Sequence, residues 1–199
     1  NPTAACAAGL QAMGLAYEAI AFGREDRMLC GGTEEFTPLT SATFDKIGAS
    51  SHATVPAAAS RPFDIRRDGI VCSEGAGIFV LEELETALAD GHRPIAEITG
   101  FATTSSPSGV AQPDTDTMYE CMRLALDDAK ITPEKLAYAN AHATATIAGD
   151  IGESLALERL VGNRVPVGSL KGSMGHAMAA SGPLESIACI RMFQTGNIC

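Results

Sequence analysis

Tryptophan is absent from this sequence, and large rings are few, with 3 tyrosines and 7 phenylalanines. A core without large rings is filled by small residues, and 20 glycines and many alanines stand ready for that. Small residues let backbones approach closely, which suits a tightly layered α/β core better than a loose helix bundle. Positive charge is also scarce. Lys and Arg total 14 against 24 Asp and Glu, for a net charge of −10. Nucleic-acid binding needs clustered cations to neutralise phosphate, so that function class is excluded, as is attraction to an anionic membrane. No apolar run approaches the ~20 residues needed to span a bilayer. Six cysteines occur at positions 6, 30, 72, 121, 189 and 199, with no C-x-x-C pair. Zinc and redox motifs are therefore missing, and thiols kept reduced in the cytoplasm are the simplest account. The chain opens on Asn-Pro-Thr without Met and stops after Thr-Gly-Asn-Ile-Cys, so an internal segment of a longer protein is expected.

Hydrophobic spacing predicts a buried helix across residues 6–22, closed by Gly23, and a short strand at 27–30 ending at Gly31 and Gly32. A helix is expected within 41–47, a strand over 75–83 and a helix over 83–90. Strands are expected at 95–101, 136–140 and 165–168, and helices at 114–130 and 150–161. A last helix is expected over 183–193, with Pro183 in its first turn because an interior proline removes a hydrogen bond. Strand and helix alternate, which predicts an α/β layered architecture. The polar turn around Asp90 to Pro94 is the expected boundary between halves.

Three segments carry reactive groups. Cys6 lies in Thr-Ala-Ala-Cys-Ala-Ala-Gly at the start of the first helix, where the macrodipole favours thiolate. A cysteine at such a position is structural more often than catalytic. His142 lies in Asn-Ala-His-Ala-Thr-Ala-Thr-Ile-Ala-Gly-Asp (140–150), just after a strand, at the sheet edge where α/β proteins place their sites. Alone, it reads more readily as a hydrogen-bonded structural histidine than as a catalytic one. Lys171 and His176 lie in Lys-Gly-Ser-Met-Gly-His, again after a strand; a lysine there is usually solvent-exposed, and a partly buried ion pair with Glu153 is the other reading. The glycines match neither a dinucleotide nor an ATP-binding loop.

Taken in order, these segments resemble the elongating β-ketoacyl-[acyl-carrier-protein] synthases, including the ketosynthase domains of polyketide synthases. Ala5-Cys6-Ala7 resembles the family's nucleophile segment, residues 140–150 its Asn-x-His-Gly-Thr-x-Thr-x-x-Gly-Asp segment, and residues 171–176 its Lys-x-x-x-Gly-His segment. The stretch from Arg61-Pro62-Phe63-Asp64 through Arg67-Asp68-Gly69 to Glu74-Gly75-Ala76-Gly77 is similar as well. Departures are Ala143 for the usual Gly, Ala145 for a frequent Ser and Ile147 for a common Pro. If the backbone at Ala143 needs φ > 0, its methyl costs about 1 kcal/mol.

The resemblance implies an α/β, thiolase-like layered αβαβα fold, incomplete at both ends. Residues 1–93 would be the latter part of the N-terminal half with the nucleophile, and residues 94–199 most of the C-terminal half. It implies Cys6 as acyl acceptor, His142 and His176 as the enolate-stabilising pair, and Lys171 and Glu153 as keepers of geometry. Thr144 and Thr146 would hydrogen-bond the phosphopantetheine arm of an acyl carrier protein. No metal or cofactor of its own is implied, a homodimer is, and the family's gating segment would lie beyond Cys199, leaving this chain inactive by itself. Carrier proteins are acidic, so Lys46, Arg61, Arg66 and Arg67 are candidates for a docking patch or for ordinary ion pairs. Rival readings are a non-catalytic chain-length-factor-like partner subunit, a thiolase, and a cysteine hydrolase.

Overall fold

The structure, a computed structural model, describes residues 1–109 and 112–199. In chain order the first elements are α1 (Ala8–Ala21), β1 (Arg27–Glu34), α2 (Pro38–Lys46), β2 (Gly75–Glu82) and α3 (Leu84–Ala89). They are followed by α4 (Thr115–Asp128), β3 (Ala139–Asn140), α5 (Ile147–Val161), β4 (Val167–Gly168), α6 (Lys171–Met174) and α7 (Met178–Thr195). The chain forms two compact units, each assembled from separated stretches. One takes Asn1–Glu35, Glu74–Phe101 and Ala177–Cys199; the other takes Phe36–Ser73 and Ala102–His176.

In the first unit, β1 and β2 pair antiparallel from Arg27↔Glu82 to Glu34↔Gly75. Side chains alternate across a strand, so one face carries Met28, Cys30, Phe79 and Leu81. These pack with Met13 and Ala16 of α1, and with Ile98. The opposite face leaves Leu29, Ile78 and Val80 exposed. The expected strand at 27–30 in fact continues through Gly31 and Gly32. A Cβ on Gly32 would lie 2.4 Å from the carbonyl oxygen of Ala179, so this glycine marks a close backbone approach and not a stop.

That carbonyl explains a second departure. α7 begins at Met178, five residues before Pro183, so the proline is interior. Proline has no N–H, and the Ala179 oxygen loses its helical donor. Gly9 and Gly32 close on that oxygen instead, a Cβ on Gly9 falling 2.2 Å from it and 2.6 Å from the Pro183 ring. Residues 95–101 form no strand.

In the second unit, Asp114 caps α4 by accepting the Thr117 N–H at 3.0 Å, as expected of an aspartate before an amphipathic run. α4 packs on α5, whose Leu157 joins Ala141, Ala143, Phe63 and Met122 in a core. The strands expected at 136–140 and 165–168 shorten to the parallel pair β3–β4, Ala139↔Val167 and Asn140↔Gly168. α5 starts at Ile147, three residues earlier than the spacing suggested.

Candidate active site

Cys6 belongs to the first unit. It sits in a 3-10 turn (Ala5–Ala7) that runs directly into α1, so its half-buried thiol stands at a helix N-terminus as expected. Two features had no sequence signal. Ala5 takes φ +46°, a left-handed conformation that costs an alanine about 1–2 kcal/mol. The thiol also contacts Met178 Sδ at 3.9 Å, and Met178 itself has φ +40°. Strain beside a reactive group persists only where the surroundings enforce it.

The second unit brings His142, His176, Lys171, Glu153, Thr144 and Thr146 together. Both histidine segments leave the carboxyl ends of the parallel pair β3–β4. The Ala141 N–H donates to Gly168 O at 2.8 Å, and the Ser169 hydroxyl donates to Ala143 O at 3.1 Å. The His142 segment is held by Glu153, whose two carboxylate oxygens accept the N–H groups of His142 and Ala143, each at 2.7 Å. Burial pushes the Glu153 carboxyl up, and these N–H groups and the charge of Lys171 pull it back. Glu153 thus fixes a backbone, a role the expected pairing with Lys171 did not include.

His176 is fully buried and pinned through its own backbone. Its N–H donates to Val71 O at 2.8 Å, and its carbonyl accepts the Ser73 N–H at 3.0 Å. Gly175, before it, has φ +71°, and a Cβ there would meet Val71 O at 2.9 Å, so this motif position requires glycine. The two imidazoles meet edge to face, ring centroids 5.1 Å apart and planes at 85°. Burial and the Lys171 charge lower His142 to about 4. Burial, His142 and Lys171 lower His176 to about 3. His142 as a residue is nonetheless exposed, so protein crowds around it without sealing it. Near neutrality both rings are uncharged N–H donors beside a buried lysine.

Ala143 and Ala145 both have positive φ, +20° and +66°, and both are buried. The methyl of Ala143 therefore does sit where glycine is at ease. The Thr144 and Thr146 hydroxyls lie 3.2 Å apart. Three of the four cationic candidates form ion pairs: Arg61 with Asp68 at 2.8 Å, Arg66 with Asp64 at 3.0 Å and Arg67 with Asp150 at 3.4 Å. For these three arginines, the ion-pair reading holds.

Two family signatures cover nearly the whole sequence. "Beta-ketoacyl synthase, N-terminal domain" matches residues 1–87, and "Beta-ketoacyl synthase, C-terminal domain" matches residues 95–199. The chain belongs to the beta-ketoacyl synthase family. Among its relatives is the tetracenomycin polyketide synthase ketoacyl synthase alpha subunit of Streptomyces glaucescens, 43% identical over 97% of this chain and 47% of that protein. Another is the 3-oxoacyl-[acyl-carrier-protein] synthase 2 of Rhizobium meliloti (strain 1021), 42% identical over 92% of this chain and 45% of that one. The crystal structure of a beta-ketoacyl synthase from Burkholderia phymatum STM815 superposes with a TM-score of 0.95 at 45% identity, covering 97% of this chain and 48% of that one. A type II polyketide ketosynthase bound to its acyl-carrier protein and a hexaketide superposes at 0.92 and 38% identity, covering 96% and 49%. The fold is the thiolase-like α/β fold of these ketosynthases, and the chain spans about half the length of the relatives it matches.

Proposed function

We propose that the complete protein catalyses decarboxylative condensation of an acyl thioester with malonyl-acyl carrier protein, giving a 3-oxoacyl-acyl carrier protein for fatty acid or polyketide synthesis. The observation that carries this reading is the edge-to-face imidazole pair held neutral beside Lys171. The Cys6 thiolate attacks the incoming acyl thioester, forming a new C–S bond and releasing the carrier thiol. Malonyl then loses CO₂, and the electron pair of the broken C–C bond passes into an enolate. Negative charge develops on the thioester oxygen only at this stage. Two neutral N–H donors aimed there stabilise the transition state more than the ground state. The enolate carbon attacks the acyl-Cys6 carbonyl, a C–C bond forms, and the thiolate leaves.

In this reading Glu153 and Lys171 hold geometry and field, the Cys6 N–H serves the oxyanion, and Thr144 and Thr146 take the phosphopantetheine arm. The arm arrives with the carrier protein, so no metal or cofactor of the enzyme's own is called for. We place the complete protein, as a homodimer, in the cytoplasm, where its six thiols stay reduced.

The test is mass spectrometry of the full-length protein with acyl and malonyl carrier proteins. Acylation confined to Cys6, with CO₂ released only when malonyl is present and a 3-oxo product formed, is expected. Acylation followed by hydrolysis alone refutes the proposal. A non-catalytic partner subunit remains the alternative reading, and it predicts product formation undiminished by Cys6→Ala in a mixed complex.

A further inference from the structure

Asp150 and Arg67 lie outside the machinery described so far, yet both are built into it. Asp150 is 1% exposed. Its Oδ1 accepts the Ala145 N–H at 3.1 Å, and its Oδ2 accepts the Phe63 N–H at 2.8 Å. These two donors share an unusual property: each belongs to a non-glycine residue in the left-handed region, φ +66° at Ala145 and +63° at Phe63. One buried carboxylate therefore ties down two strained turns that are far apart in sequence.

Arg67 completes the tie. Its Nε donates to Thr146 O at 3.2 Å and its Nη2 to Ile147 O at 2.7 Å, while Nη1 reaches back to Asp64 O at 3.1 Å. The same Nε lies 3.4 Å from Asp150 Oδ2. A planar guanidinium with fixed donor directions can span three carbonyls and a carboxylate, and an ammonium cannot. Ala145 sits between the two threonines whose hydroxyls are 3.2 Å apart. A relaxation of its backbone toward ordinary φ would turn those hydroxyls away from each other. Gly149 adds to the arrangement, since a Cβ there would lie 2.4 Å from Thr146 Oγ1.

We propose that Arg67 and Asp150 are positioning residues that hold the Thr144 and Thr146 hydroxyls as one grip on the amide-bearing arm of the thioester substrate. This rests on the condensing-enzyme reading, in which that arm is phosphopantetheine. The clamp acts on binding of the arm and not on the reacting carbonyl, so it predicts a split between substrates.

The experiment uses full-length enzyme, acylated on Cys6, with two donors: malonyl-pantetheine, and the malonyl thioester of ethanethiol, which has the same reacting carbonyl and no amides. Arg67→Lys and Asp150→Asn should each raise KM for malonyl-pantetheine about tenfold, the scale of one lost charge-assisted hydrogen bond. Turnover of the ethanethiol ester should stay within about twofold, since no arm contact is at stake. Equal losses on both donors, including losses that track the fraction of unfolded protein, would mean a merely structural role and overturn the clamp alone. Unchanged KM for both donors overturns it as well. Wild-type enzyme that is intact by circular dichroism but does not condense malonyl-acyl carrier protein removes the condensing-enzyme reading and the clamp with it.

Discussion

A histidine that stays uncharged is a donor ready before the reaction begins, and this state has a thermodynamic signature. The folded protein holds His176 near 3 and His142 near 4, whereas the unfolded chain titrates both near the ordinary 6.5. Between about 6.5 and 4 the unfolded state binds protons that the folded rings refuse, so stability falls as pH falls through that window. The buried His176 contributes a slope of up to about 1.4 kcal/mol per pH unit; the exposed His142 contributes less because water screens it. Asp150 and Glu153 are raised by burial and tilt the profile the other way. The check is therefore a difference: urea unfolding from pH 4 to 8 should show a flatter profile for His176→Gln than for wild type. Parallel profiles would mean the ring is not held neutral. Glu153→Gln tests the backbone hold. Glutamine offers one acceptor to two N–H groups, so a loss of about 1–3 kcal/mol is expected, against almost none for Glu158→Gln on the exposed side of α5. At this scale the candidate groups are legible because thiol, imidazole and lysine sit in short motifs with fixed spacing. The supports are not. Nothing in the letters marks Ala5, Phe63, Ala145 and Met178 as left-handed, because φ at a non-glycine residue is imposed by distant partners such as the Asp150 carboxylate.

Elements follow the same division. α4 is readable to within two residues because its signals are local, an apolar period of 3.6 opened by an aspartate cap. β1 reads short from its letters because two glycines look like punctuation. Their reason is tertiary: the space a side chain would need belongs to Gly77 O and Ala179 O. The start of α7 carries no local signal for a related reason, since Pro183 is tolerated inside only where the carbonyl it strands meets compensating neighbours. Residues 95–101 have strand-like composition, yet no strand pairs with them among the described residues. Gly9→Ala probes the packing directly. The new methyl would strike a backbone oxygen and a proline ring, neither of which can swing aside, and a loss of about 3 kcal/mol or more is expected in urea unfolding. A loss below 1 kcal/mol would show that α1 and α7 are less closely packed than described.

For the molecule as a whole, the two-stranded sheet of the first unit is covered on one face and bare on the other. Leu29 and Val80 are cross-strand partners, 74% and 63% exposed. Contiguous exposed apolar surface of this kind promotes association. The 199-residue chain alone is expected to bind a hydrophobic dye and to elute as a mixture of aggregates. Leu29→Lys with Val80→Glu should suppress both, and monodisperse, dye-free wild-type chain would contradict this.

The interleaving of the two units has a practical corollary. A cut after residue 93 leaves α7 on a different piece from the β1–β2 pair it packs against, and parts the 61–67 loop from the carboxylate that anchors it. Neither half should become protease-resistant when expressed singly, whereas co-expression should restore resistance to both. The break near Pro94 would then serve as a junction for split-protein complementation, a place where the polypeptide can be divided but the folding cannot.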